Sequence, residues 1–146
     1  MQKIMTLLLG VAVLSGCATQ KTGKECADNF TVSGSLLTGK TFTSSVSLPN
    51  TPFATAYDRA HKSLVREGFY IQNADAKRGA ISAYQDVILS ERTAPLNVQV
   101  EQAGSGSRVN LVFVVAGGMY APESGVRDGF CRITDGVTQQ VPVRPQ

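Results

Sequence analysis

Residues 50 to 116 confine the fold more than any other stretch, because one helical period is followed by strand-like alternation alone. Asn50-Thr51-Pro52 joins an N-cap candidate to a proline suited to the first helical position. Beyond it Phe53, Ala56, Tyr57, Ala60, Leu64 and Val65 recur every three or four residues. Asp58, Arg59, Lys62, Ser63, Arg66 and Glu67 fill the other side, and Gly68 ends the run. This spacing predicts an amphipathic helix packed on a sheet.

Phe69 to Gln85 reads as two short strands about a turn near Asp75 to Gly79. Leu96, Val98 and Val100 alternate with polar neighbours across Leu96 to Gln102. Gly104 to Ser107 then turns the chain into a strand from Arg108 to Ala116. The apolar run of that last strand predicts a central position, covered on both sides for part of its length. Upstream, the Thr-, Ser- and Val-rich stretch from Lys40 to Leu48 is a further strand. Downstream, after Gly117-Gly118 and Pro122, Val126, Phe130, Ile133 and Val137 fall at helical spacing. Gly125, Gly129 and Gly136 oppose that last helix by about 1 kcal/mol each. The predicted order is β-α-β-β-β-β-α.

The N-terminus carries a different signal. One positive charge, Lys3, precedes an uncharged apolar run from Ile4 to Leu14, and Ser15-Gly16-Cys17 follows. That is the layout of a secretory leader, and the run is too short to span a bilayer, which takes about 20 apolar residues. Leu14-Ser15-Gly16-Cys17 resembles the lipobox of bacterial lipoproteins. The resemblance implies cleavage after Gly16, so that residues 1–16 are a signal peptide, and acylation of Cys17. Ala18 in place of Asp at the next position implies sorting to the periplasmic face of the outer membrane. Two or more acyl chains anchor a protein stably, where one does so only reversibly.

Residues 17–25 read as a lipidated tether. Its extended reach, from Ala18 to Glu25, is at most about 30 Å, which keeps the domain near the membrane. A single domain spans residues 26–141, and 142–146 form an extended tail. With 14 basic and 11 acidic residues, Lys3 among the basic ones, the chain is near charge balance and has no basic block. Composition therefore makes no case for nucleic acid as a partner. Besides Cys17, only Cys26 and Cys131 carry thiols. An even pair in an exported chain predicts a disulfide, against the alternatives of two buried thiols or an intermolecular bridge. It would close a loop of about 100 residues, with about 4–5 kcal/mol of stabilisation as an upper bound.

The stretch AYDRAHKSLVREGFYIQNADAKRGAISA, residues 56–83, is similar to repeats in bacterial envelope lipoproteins of the BamC-like type. The matching positions are Leu64, Gly68, Phe69, Ile71, Asp75, Gly79, Ile81 and Ala83. The resemblance implies an α+β fold like half of the TATA-box-binding protein, one curved antiparallel sheet with two helices on one face. Such relatives often carry two domains and a long N-terminal region, whereas this chain carries one domain. The matched positions are mostly core and turn residues, so they bear on fold far more than on function.

Residues able to do chemistry are sparse. The single histidine, His61, sits at the edge of the apolar helix face and reads as a boundary residue rather than a base or ligand. No H-E-x-x-H, G-x-S-x-G, S-x-x-K or Cys-x-x-Cys pattern occurs, and no metal or cofactor is expected. Asp75, Asp86, Glu91 and Glu101 could form a carboxylate pair only by tertiary placement. Gly104 to Ser107 is no phosphate loop, and Asn29-Phe30-Thr31 matches a glycosylation acceptor that a bacterial lipoprotein would not normally use. The loop from Gly117 to Gly125 holds Met119 and Tyr120, types enriched at interfaces.

These features lead to the expectation of a non-catalytic accessory or protein-interaction module in the cell envelope. Its partner would bind the open sheet face, an edge strand or the 117–125 loop. The alternative is a carrier or sensor of a small apolar or envelope-derived ligand held between helix and sheet. Most Leu, Val and Phe positions are needed for the core of so small a domain, which leaves little room for a large cavity.

Overall fold

A computed structural model of the chain describes residues 21–86 and 92–138. Cys17, the first tether residues, Glu91 and the 142–146 tail lie outside the described residues. The fold is α+β, with a six-stranded antiparallel sheet and three helices packed on it. The elements in chain order are α1 (Glu25–Asp28), β1 (Thr31–Ser35), β2 (Gly39–Leu48), α2 (Phe53–Arg66), β3 (Tyr70–Asp75), β4 (Ala80–Asp86), β5 (Thr93–Ala103), β6 (Gly106–Val115) and α3 (Glu123–Thr138). The sheet order is β1-β2-β6-β5-β4-β3. From β2 to α3 the succession is the expected one; α1 and β1 precede it and were not expected.

Helix α2 follows its sequence period closely, with Ala56, Ala60 and Leu64 fully buried. Three details differ from expectation. Pro52 is the N-cap residue in extended conformation rather than the first helical residue, and no side chain caps the helix. Val65 is 53% exposed, whereas Ser63 is buried. Ser63 escapes a desolvation penalty because its Oγ donates to the Ile133 carbonyl at 2.8 Å, joining α2 to α3. The helix ends in a Schellman motif, in which Phe69 N–H donates to Leu64 O at 3.0 Å and Gly68 N–H to Val65 O at 3.1 Å. Gly68 has φ +84°, the left-handed region that glycine enters without strain.

The strands alternate as half-buried strands must. Leu96, Val98 and Val100 of β5 and Val109, Leu111 and Val115 of β6 point inward with Phe42, Val46 and Leu48 of β2. A two-residue turn at Gly104-Ser105 joins β5 to β6, with Ala103 opposite Gly106. Strand β6 is central, between β2 and β5, but it is not covered on both sides. On its outward side Arg108 is exposed and Val114 is 37% exposed, so its apolar run overstated its burial. The outward neighbours on that face are mostly Thr, Ser, Asn and Gln. One row, Tyr70, Tyr84, Pro95 and Val114, is apolar, and its two tyrosine rings stack at 5.3 Å.

The disulfide Cys26–Cys131 is present, with Cα atoms 5.4 Å apart, and fixes α1 on α3. Ser44 Oγ donates to the Cys26 carbonyl at 2.6 Å, and Glu25 accepts from Ser47 N–H and Oγ at 3.0 and 2.9 Å. These bonds dock α1 on β2. Asn29 of the acceptor-like triplet is engaged as well, its Nδ2 donating to Ser45 O at 3.0 Å.

Candidate functional site: a cleft between the last helix and the sheet

Helix α3 buries Phe130, Ile133, Thr134 and Val137, so its C-terminal half packs tightly. Arg59 Nη1 reaches the Val137 carbonyl at 3.3 Å, beside the Ser63–Ile133 bond. Gly136 lies against Ser63 and Arg66 so closely that a Cβ there would overlap both side chains. This glycine, which opposed a helix on propensity, is where α2 and α3 touch.

The N-terminal half of α3 stands off the sheet. Gly125 and Gly129 are four residues apart and share one face of the helix. A Cβ on Gly129 would come no nearer than 3.7 Å to the Arg132 guanidinium, and one on Gly125 would meet only the Pro122 ring at 3.3 Å. No other side chain takes up the room these glycines leave. The result is a cleft of about 450 Å³, lined by Phe69, Ala94, Phe113, Val115, Met119, Tyr120, Ala121, Val126, Phe130 and Ile133. Small-molecule sites run from about 300 to 1,000 Å³ and are mostly apolar with a few polar groups. Here the polar groups are Gln85 and Asp86 at the end of β4 and the pair formed by Arg132 Nε and Glu67 Oε2 at 3.0 Å. A sizeable cavity was not expected. Gly125 and Gly129 leave part of its α3 wall without side chains.

Two contacts fix the start of α3 and the loop before it. Lys40 Nζ at the start of β2 meets Glu123 Oε1 at 2.9 Å and fixes the start of α3. Gly118 N–H donates to Leu36 O at 2.7 Å, which joins the loop before α3 to the β1–β2 turn. Met119 and Tyr120 of that loop are among the residues that line the cleft. Met119 is half-buried against the core, while Tyr120 is 81% exposed at the rim. Sequence reasoning did not single out Phe69, Phe113, Gly129 or Arg132 as site residues. They come from different elements and share no period that would have marked them.

The other candidates are not brought together. His61 is half-buried on α2. Asp75 Oδ1 accepts from Lys77 N–H and Arg78 N–H at 3.0 Å each, so it shapes the β3–β4 turn. Asp86 pairs with Thr93 in the register, and Glu101 lies eight residues further along β5, about 27 Å away at strand rise. No group of three or more potential metal ligands occurs among the described residues, and none of their helices is long and apolar enough to cross a membrane.

The tether side of α3 is also organised. Lys24 Nζ meets Asp135 Oδ2 at 3.3 Å, and Thr22 donates through N–H and Oγ1 to Asp28 Oδ1 at 2.6 and 2.9 Å. The Thr22 amide holds the Asp28 carboxyl below the usual carboxylate range. A carboxyl lowered on folding stabilises above its unfolded pKa, and that contribution is lost as pH falls through the folded value. An NMR titration should place the Asp28 midpoint below the unperturbed value of about 3.9, with the Thr22 amide shift following it. A midpoint at or above that value would contradict the contact.

The two kinds of α3 glycine predict opposite responses. Gly129→Ala should raise stability by up to about 1 kcal/mol, because it gains helix propensity without a clash. Gly136→Ala should lower it by about 1–3 kcal/mol, since Ser63 cannot yield without losing its bond to Ile133. Denaturant unfolding of both variants measures the signs directly.

No protein-family model matches the chain, and no curated protein matches it. Among solved structures the chain is similar to the crystal structure of Ara h 8.0201. The identity is 14%, the match covers 66% of this chain and 96% of that chain, and the TM-score is 0.39.

Proposed function

We propose that the chain is a non-catalytic binding domain of the cell envelope, held at the membrane by acylated Cys17, that takes an apolar or amphipathic small molecule into the cleft beneath α3. The observation that carries this reading is the cleft itself, faced by Gly125 and Gly129 where larger side chains would fill it. Phe69, Phe113, Val115, Val126 and Phe130 offer apolar contact, and the Arg132–Glu67 pair with Asp86 gives a polar rim for a head group. The lipobox and leader support the lipid anchor and the outer-membrane location. The likeness of residues 56–83 to BamC-like lipoproteins agrees with an envelope role.

Fluorescence titration with an apolar dye such as anilinonaphthalene sulfonate tests the cleft. The native protein should bind saturably, and Gly129→Leu, which fills the cleft, should weaken binding at least tenfold while the fold is kept. Equal binding by both would place the dye elsewhere and remove this reading. A second reading, a protein-interaction module, is favoured by the outward row of Tyr70, Tyr84, Pro95 and Val114 on the open sheet face. It would leave the Gly129→Leu variant fully active.

A further inference from the structure

Beside the loop that carries Met119 and Tyr120 into the cleft lies an apolar edge that the core does not require. Leu36 and Leu37 at the β1–β2 turn are 52% and 89% exposed. The bond from Gly118 N–H to Leu36 O sets them beside the loop bearing Tyr120, also largely exposed. Large apolar side chains left in water on two adjoining loops, one of them lining an apolar cleft, mark a contact surface.

The tether indicates what that surface meets. Thr22 and Lys24 lie along α3 with Asp128, Cys131 and Asp135, and the disulfide fixes them there. Five residue steps from Cys17 to Thr22 span at most about 18 Å. Lys24 meets Asp135, which is twelve residues from Glu123, about 18 Å along the helix, and Glu123 is joined to the start of β2, next to the β1–β2 turn. A chain acylated at Cys17 therefore keeps this edge within reach of the bilayer that holds its anchor.

The geometry points to a membrane-docking edge formed by Leu36, Leu37 and Tyr120, through which the cleft takes an acyl chain from a phospholipid of the same bilayer. This inference rests on the proposed anchor and cleft and names their ligand. Aliphatic side chains enter the interfacial layer, where tyrosine is also favoured. The acyl chain then passes between apolar surfaces, and the polar rim of Arg132, Glu67 and Asp86 is left to the head group.

The test uses the full lipidated chain in vesicles of phosphatidylethanolamine and phosphatidylglycerol, containing a phospholipid with a photoreactive diazirine at one acyl terminus. After irradiation, peptide mapping should find the label on cleft residues such as Phe69, Met119 and Val126. The double variant Leu36→Ser/Leu37→Ser should lose this labelling severalfold while its affinity for the soluble dye is unchanged. Dye binding without lipid label in the cleft would overturn the inference and leave the cleft reading standing. Loss of both in the native chain would remove the cleft reading itself. A chain that runs as a dimer in detergent, and as a monomer once Leu36→Ser/Leu37→Ser is introduced, would assign the edge to a second copy and would overturn the docking edge.

Discussion

Breaking the Cys26–Cys131 bond should lower the melting temperature by roughly 10–20 °C. The bond joins residues 105 apart in sequence, so it removes a long loop closure from the unfolded ensemble. It also compensates for a local weakness. Helix α1 has four residues and no side-chain cap bond, far too short to hold its shape alone. Its bonds to β2, through Ser44 and Ser47, act together with the Cys26–Cys131 link to hold it in place. Cys131→Ser should therefore release α1 and the tether together, and leave the sheet and α2 folded. Thermal unfolding with and without reductant, compared with the variant, gives the size of the effect. An unchanged curve on reduction, or two thiols open to alkylation in the native protein, would contradict the bridge.

Replacing Cys17 by serine should move essentially the whole population from the membrane fraction to the soluble fraction, with the domain still folded. On the proposed anchoring, the leader still exports the variant, but no sulfur is present to take the diacylglyceryl group. The described helices contain no membrane span. Without the anchor, the Leu36, Leu37 and Tyr120 edge would give only weak and reversible attachment, as a single small apolar contact does. Fractionation followed by alkaline extraction measures this. Retention of Cys17→Ser in the extracted membrane would defeat the lipobox reading.

The parts of the fold legible in sequence were those with a period. Helix α2, the β3–β4 hairpin and the β5–β6 hairpin were placed from apolar spacing and turn residues. Helix α2, β4, β5 and β6 each bury one face, while β3, which has no fully buried residue, was marked by the turn that follows it. Helix α1 and β1 were missed for the converse reason. In Glu25–Asp28 only Cys26 is buried, and in Thr31–Ser35 no residue is fully buried. Their order comes from the disulfide and from pairing with β2. Val65 looked like a core position and Ser63 like a surface one. Their exchange follows from α3 crossing α2 at Ser63, a tertiary fact that a helical wheel cannot hold.

The cleft was hidden most deeply. Gly125 and Gly129 read as defects in a helix when judged by propensity, and their role shows only when the sheet beneath them is in place. Met119 and Tyr120 could be singled out by residue type, since both are common at interfaces. Phe69 and Phe113 looked like ordinary core residues, and they do pack against the core at one edge. Arg132 was one charge among several on the polar side of its helix. A site assembled from β4, β5, β6, the end of α2 and α3 leaves no local pattern to read.

The most direct test of the central claim is chemical-shift mapping on isotopically labelled protein during titration with an apolar dye or fatty acid. Shifts confined to Phe69, Ala94, Phe113, Met119, Val126 and Ile133, and absent from Gly129→Leu, are the predicted result. Shifts centred on Tyr70, Tyr84 and Val114 of the open sheet face, with the cleft residues unmoved, would contradict it.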